Sequence, residues 1–545
     1  NVTFRTNSDT EVLLESIAFW GIKKTLKNLN GMFSFTLFDK RKQKLFLVRD
    51  RIGIKPLYWY FDKDNFAFSS ELKALKVLPW LKFDIDQESL ASYVRLNYIP
   101  APFSIFKNVF KVEPGNILEV SLNKKVIKRK FWSLKDNIKY NKKIHNKDQF
   151  QVLKETLSNA VRKQMRSDVP LGVFLSGGID SSLIASIAQA NSKKKINTFT
   201  IGFNDSSFNE AIFAKNIANI IGTDHNQEYF SYSILNNLVD KLGIIYDEPF
   251  ADSSQLPTLL LSEITKKKVT VALSGDGADE LFGGYYRYFL AEKYKKLIFN
   301  QPTLFKNIIY LIINGLPSNF WNLIGLLVSN KYGGKQFVDK LYKLSKLLKS
   351  SDESLFQKRI VSNIDYPSDF VFSQTEKKSI LWSKEIEKEF PNTIERMQLI
   401  DTLTYLPDDI LTKVDRASMH HSLEVRVPFL DNDVVEQAWK LPLEVKVKKD
   451  QGKIILKRFL KEFIPETSFS RPKMGFGIPL DKILRTNLKS KMEYYLFSGY
   501  ADNLIFFKLD NYKEKWREHL SGKRNWQFIL WNFLVFQIWY EEWNK

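Results

Sequence analysis

Residues 171–182 read LGVFLSGGIDSS, and this stretch decides the fold. Val173, Phe174 and Leu175 form a short apolar run suited to a strand buried in a parallel sheet. Ser181 and Ser182 open a small-residue helical pattern that continues through Leu183, Ile184, Ala185, Ser186, Ile187 and Ala188. Between strand and helix lies Ser176-Gly177-Gly178. Paired glycines let backbone N–H groups approach an anion, and the helix N-terminus adds unpaired donors and partial positive charge. The turn therefore suits a pyrophosphate. Asp180 places a carboxylate beside it that would hold a bridging Mg2+ rather than the phosphate itself. There is no Gly-x-x-x-x-Gly-Lys-Ser/Thr loop, which argues against ordinary γ-phosphate transfer. A plain glycine turn is the competing reading of this motif alone.

A second stretch repeats the design. Residues 269–273, VTVAL, form a β-branched strand that runs into SGDGADELFGGY at 274–285. Both turns should emerge at the carboxyl edge of one parallel sheet, where α/β folds bind ligands. Asp180, Asp276 and Asp279 would then converge on one polyphosphate, which requires divalent metal and a cation to offset their repulsion. As isolated residues, each serves equally well as a loop acid or helix cap.

These blocks, together with DRIGIKPLYWY (50–60), DEPFADSSQLPT (247–258), LPDDILTKVDRASMHHSLEVRVPFLD (406–431) and RPKMGFGIPL (471–480), resemble the glutamine-hydrolysing asparagine synthetase family over nearly the whole chain. The resemblance implies an α+β N-terminal-nucleophile glutaminase domain, an incomplete αββα sandwich over 1–132. A linker over 133–148 and an α/β ATP-pyrophosphatase synthetase domain with extra helices over 149–545 would follow. It implies that Leu175, Ser176, Gly177, Gly178, Asp180, Ser181 and Ser182 hold ATP and its pyrophosphate, with Ile201, Ser274 and Gly275 beside the adenine. Asp180 and Asp279 would hold Mg2+, and Lys453 would neutralise charge when a carboxylate attacks the α-phosphate. From its residue type alone, Lys453 reads as one more surface lysine. Lys457 stands where the family usually has arginine. Asp276, where the best-known members have glutamate, would take the proton from attacking ammonia; its shorter side chain leaves the acceptor carboxylate open.

The start departs from the family pattern. The family's glutaminase nucleophile is an N-terminal cysteine, whereas this sequence holds no cysteine and opens with Asn1, so glutaminase activity is not expected from it as it stands. Asp9 matches the family aspartate that binds the glutamine amino group. An incomplete sequence is favoured over a natural user of free ammonia or of a second subunit. The segments 32–38, 45–48, 57–61 and 65–68 read as strands of one antiparallel sheet, with 118–132 closing the domain. That sheet is expected to have an unprotected edge, a partly open core and poor stability. The opening synthetase helix is read over 150–166 from Val152, Leu153, Leu157, Ala160 and Val161.

The composition narrows the function classes. At 545 residues and 44% hydrophobic content the chain can bury a sizeable core. Five histidines without a His-Glu-x-x-His pattern, and no cysteine, exclude a conventional zinc site and disulfides. The net charge of +21 raises RNA binding as a rival function, but the lysines are scattered, with brief runs at 193–195 and 266–268 in loops, and no nucleic-acid partner is expected. The apolar region 305–329 is divided by Asn314-Gly315, Pro317-Ser318-Asn319 and Asn322, so covering helices are expected and no membrane partner. The aromatic segment 526–539 reads as a packed C-terminal helix. Asp415, Arg416, Glu424 and Arg426 are read either as orienting the acceptor or an interdomain passage, or as a structural ion-pair network. The resulting expectation is a cytoplasmic enzyme that takes ATP, aspartate or another carboxylate such as a sugar acid, and glutamine or ammonia; a homodimer is left open.

Overall fold

The computed structural model describes all residues except 1–2, 63, 124, 141–147, 204–208, 318–319, 322, 326–333, 472–476 and 501–505. Asn1, residues 141–147 of the expected linker and the middle of the RPKMGFGIPL block therefore lie outside the described residues.

Seven strands build the first part: β1 (Ser34–Asp39), β2 (Lys44–Arg49), β3 (Tyr58–Phe61), β4 (Phe66–Ser69), β5 (Val109–Lys111), β6 (Asn116–Ser121) and β7 (Val126–Lys130). They do not form the single sheet expected. β1-β2-β6-β7 make one antiparallel sheet, and β4-β3-β5 make another. The division occurs at Arg49 and Asp50, where the chain leaves β2. Asp50 is buried and accepts backbone N–H groups from Ile52, Gly53 and Ile54 on one oxygen and Lys55 on the other, at 2.7–3.1 Å. Arg49 donates to the carbonyls of Gly53, Lys55 and Val112. Four captured amides force a tight turn that swings β3 out of the plane of β2. Alternation within each strand could not reveal this turn.

β1 is an edge strand, and its residues stay only half-buried except Phe38, which is exposed. The helix Asp9–Trp20 buries none of its residues. Residues 134–140, expected within the linker, instead form a helix with Leu134 at its start, buried in the main core.

The second part is a parallel sheet in the order β10-β9-β8-β11-β12, built from β8 (Leu171–Phe174), β9 (Asn197–Phe203), β10 (Asp224–Phe230), β11 (Val271–Leu273) and β12 (Glu424–Arg426). Helices Ile179–Ala190, Ala211–Ile221 and Gln255–Lys266 connect successive strands and cover the sheet. From β8 the chain winds outward through β9 and β10, then returns to β11 on the opposite side of β8. The sheet thus has its switch point between β8 and β11, the position where open α/β sheets bind ligands. Helix Gln149–Gln164 buries Leu153, Leu157, Ala160 and Val161, while Val152 faces solvent, contrary to the periodicity reading.

One continuous core runs through both parts. The C-terminal helix Gln527–Trp543 joins them, with every residue from Ile529 to Trp539 buried. Its Asn532 bonds the carbonyl of Tyr93 and the side chain of Asn97, and Trp539 Nε1 donates to the Asp247 carbonyl at 2.8 Å. Among the described residues, no helix is long and apolar enough to cross a membrane.

Candidate active site

The loop after β8 folds upon itself before it could meet a ligand. Ser176 N donates to Ser181 Oγ at 3.1 Å, the two hydroxyls lie 3.0 Å apart, and Gly178 N donates to Ser176 Oγ at 3.3 Å. Gly177 has φ +74, and a Cβ there would come within 2.8 Å of the Ala214 nitrogen. Both the conformation and the space demand glycine. Ser182 is fully buried and donates its backbone N–H to the Gly178 carbonyl, while its hydroxyl has no hydrogen-bond partner among the described residues. Leu175, just past the end of β8, and Ile201 on the neighbouring β9 are both buried; Leu175 N donates to the Phe199 carbonyl at 2.8 Å.

The loop after β11 closes against the first. A Cβ on Gly275 would lie 2.9 Å from Ser181 N and 3.0 Å from the Asp180 carbonyl carbon, so the two turns are in backbone contact. Ser274 N is held by the Arg426 carbonyl of β12, and Ser274 Oγ donates to Asp276 Oδ2 at 2.5 Å. Burial raises the Asp276 carboxyl above its ordinary range, and the Ser274 hydroxyl opposes that shift.

Lys453 arrives from far along the chain at the N-cap of helix Ile454–Leu460, in the left-handed conformation with φ +59. Its ammonium bonds Asp180 and lies 2.7 Å from Asp279 Oδ1. Burial alone would lower its pKa, but Asp180 and Asp279 outweigh that penalty and raise it. This lysine is a buried, permanently charged group rather than a surface one, because only glycines let it in. A Cβ on Gly284 would lie 2.1 Å from Lys453 Cε.

The structure thus brings together Ser176, Gly177, Gly178, Asp180, Ser181, Ser182, Ser274, Gly275, Asp276, Asp279 and Lys453. It leaves Asp9 apart, exposed in the first turn of its own helix. Among the described residues, no cluster of three or more histidines and carboxylates forms a ready metal cage. Two hard carboxylate oxygens beside a phosphate-shaped turn fit Mg2+, which usually completes its shell with water and substrate phosphates.

Several groups escaped the sequence reading. Glu280 is 1% exposed and accepts from Tyr285 Oη at 2.6 Å; burial, then Asp279, raise its pKa to about 7. Lys413 donates to Asp252 and Ser254, each at 2.8 Å. Burial pushes Asp409 well up, with the charge of Asp252 adding to the shift. Arg471 donates to the Ser176 carbonyl and to Glu210. The blocks containing Asp252, Asp409, Lys413 and Arg471 were visible, but only the fold shows which of their side chains turn inward.

Asp415, Arg416, Glu424 and Arg426 belong to ion-pair networks. Arg416 contacts Asp247, Glu71 and the Ser70 carbonyl, and Asp415 pairs with Lys55 at 2.9 Å. These contacts tie the two parts of the chain together. Arg426 pairs with Glu424 at 2.6 Å and bonds the carbonyls of Gln164 and Arg166.

Fold and site define a nucleotide-binding α/β protein preceded by a two-sheet β-rich part. The family profile described as "Asparagine synthase" matches residues 152–541, and "Glutamine amidotransferase domain" matches 1–132. "Asparagine synthetase [glutamine-hydrolyzing] 1" of Bacillus subtilis (strain 168) is 32% identical over 99% of this chain and 81% of its own length. "Asparagine synthetase [glutamine-hydrolyzing] 3" of the same organism is 28% identical over 87% of this chain and 71% of its own length. Among solved structures, a glutamine phosphoribosylpyrophosphate amidotransferase from B. subtilis complexed with ADP and GMP is 15% identical, with a TM-score of 0.17 over 42% of this chain and 40% of its own. The chain belongs to the asparagine synthase family.

Proposed function

We propose that this protein is an ATP-dependent, asparagine synthase-type ligase that converts aspartate to asparagine through a β-aspartyl-AMP intermediate. The observation that supports this reading most directly is Lys453, buried between Asp180 and Asp279 where the loops after β8 and β11 meet. On this reading residues 149–545 form the synthetase, 133–148 connect, and 1–132 belong to a glutamine amidotransferase domain in which Asp9 binds the glutamine amino group.

The β-carboxylate of aspartate attacks the α-phosphorus of ATP, an oxygen–phosphorus bond forms, and the bond to pyrophosphate breaks. Negative charge grows on the nonbridging oxygens and on the leaving pyrophosphate. Lys453 supplies a fixed cation there, and a buried charge needs no solvent reorganisation to act. The backbone amides of Gly177 and Gly178 and the hydroxyls of Ser176, Ser181 and Ser182 cradle the pyrophosphate. Ile201, Leu175, Ser274 and Gly275 flank the adenosine. Mg2+, held by Asp180 and Asp279, would neutralise phosphate charge.

Ammonia nitrogen then attacks the acyl carbon, AMP leaves, and the surplus proton passes to a base. Asp276 is that base. Burial raises its proton affinity above that of an ordinary carboxylate, the direction a proton acceptor needs.

The test is AMP release from ATP and Mg2+ with ammonium as nitrogen donor, with and without aspartate. Aspartate-dependent AMP accompanied by equal asparagine supports the reading. AMP formed with a different carboxylate and not with aspartate would overturn the acceptor assignment, and no AMP with any carboxylate would overturn the reaction class.

A further inference from the structure

The helix Thr303–Gly315, TLFKNIIYLIING, carries a single charged side chain, Lys306. It packs on helix Gly334–Leu348 and buries Ile313, with Ile309 and Tyr310 half-buried. Its other side faces solvent. Leu304 is 73% exposed and Leu311 66%, with Ile308 and Ile312 beside them. The spacing i, i+4, i+7, i+8 places these four on one stripe. Exposed Phe305 lies in the same helix, and exposed Leu297, Phe320 and Leu323 lie in the segments that precede and follow it in sequence. A contiguous apolar face of this kind marks an interaction surface, whereas single exposed leucines do not.

The stripe lies in a basic stretch of the sequence. Positions 293–350 hold ten lysines, no arginine and a single acid, Asp339, while Lys295, Lys296 and Lys346 pair with Glu353, Glu292 and Asp365 from outside that stretch. Lys306 Nζ lies 5.9 Å from the Phe299 ring centre, and Lys349 Nζ lies 4.4 Å from that of Tyr310 and 3.2 Å from Asn307 Oδ1. Both lysines lay their stems along apolar surface and carry their charge at its rim.

We propose that this face seats on an anionic lipid surface as a peripheral contact. The apolar stripe would enter the boundary between headgroups and acyl chains, and the lysine rim would meet lipid phosphates. A nucleic acid would satisfy the lysines but leave the stripe in water. A second copy of the chain would bring the same lysine-rich region against itself, so the charge disfavours self-association.

Co-sedimentation of the full chain with vesicles tests this. Binding is expected with phosphatidylcholine containing phosphatidylglycerol, not with phosphatidylcholine alone, and should fall as salt screens the lysines. Ile308→Asn with Leu311→Asn should weaken binding by about tenfold or more, and so should Leu304→Ser alone to a smaller degree. Both variants should keep wild-type AMP release in solution, which shows that they fold. Absence of binding, equal binding to neutral vesicles, or equal binding by folded variants would overturn the proposal. So would a dimer in sedimentation that Ile308→Asn dissociates, since a second copy would then cover the face.

Discussion

Lys453 Nζ lies 2.7 Å from Asp279 Oδ1 and also bonds Asp180, so one buried ammonium ties together the turns that follow two neighbouring parallel strands. Replacing it with methionine leaves two half-buried carboxylates near each other without that cation. Lys453→Met should cut AMP formation by at least about 100-fold, the scale of losing one preorganised charge at a developing anion. Lys453→Arg should not rescue it. The Lys453 stem passes so close to Gly284 that the wider, planar guanidinium is expected to clash there. Pyrophosphate exchange and thermal melting, measured on both variants, separate this loss from unfolding.

Gly177→Ala tests the cradle itself. The new Cβ would sit in a left-handed conformation and press on the backbone of Phe213 and Ala214. Strain and overlap together should cost about 1–3 kcal/mol and displace the amides proposed to face the phosphates. The expected result is a raised KM for ATP with a lowered melting temperature; Gly222→Ala, where the added methyl meets open space, should leave KM unchanged.

Glu280 gives the protein a pH-dependent weakness. Its pKa rises from 4.5 to about 7 on folding, first through burial and then through Asp279. Between those values the folded state holds a proton that the unfolded state has released, so stability falls as pH rises through this window. The full difference is about 3 kcal/mol, reached above pH 7. Glu280→Gln removes the titration. In urea unfolding without Mg2+, the variant's advantage over wild type should grow from pH 4.5 to 7 and then level off; a difference that does not change with pH would refute it.

The two glycine turns were legible because each sits directly between a β-branched run and a helix start, a local pattern. The parallel sheet and the packed C-terminal helix were legible for the same reason. The split of the first strands into two sheets was not, because it depends on Asp50 capturing four amides. Lys453 was recognisable only by family resemblance: nothing in its own neighbourhood shows that Gly284 leaves room for it. Val152 illustrates the limit of periodicity, since an apolar residue beside a buried stripe can still face water.

The seam between the two parts supplies a last test. Asp247 has a fully buried side chain that accepts the Leu72 amide, and burial raises its pKa despite Arg416 at 3.3 Å. The Arg416 guanidinium is itself buried, which would lower its pKa, but Asp247 and its neighbours raise it instead. Removing Arg416 leaves the buried Asp247 with only Lys73, 3.8 Å away, to offset its charge, so Arg416→Met should destabilise the protein by about 3 kcal/mol. Arg416→Met with Asp247→Asn should recover part of that loss, because the orphaned charge is gone while the Leu72 amide can still find an acceptor. A double variant as unstable as the single would mean that the arginine acts through Glu71 and the Ser70 carbonyl, on the first part of the chain, rather than through Asp247 on the second.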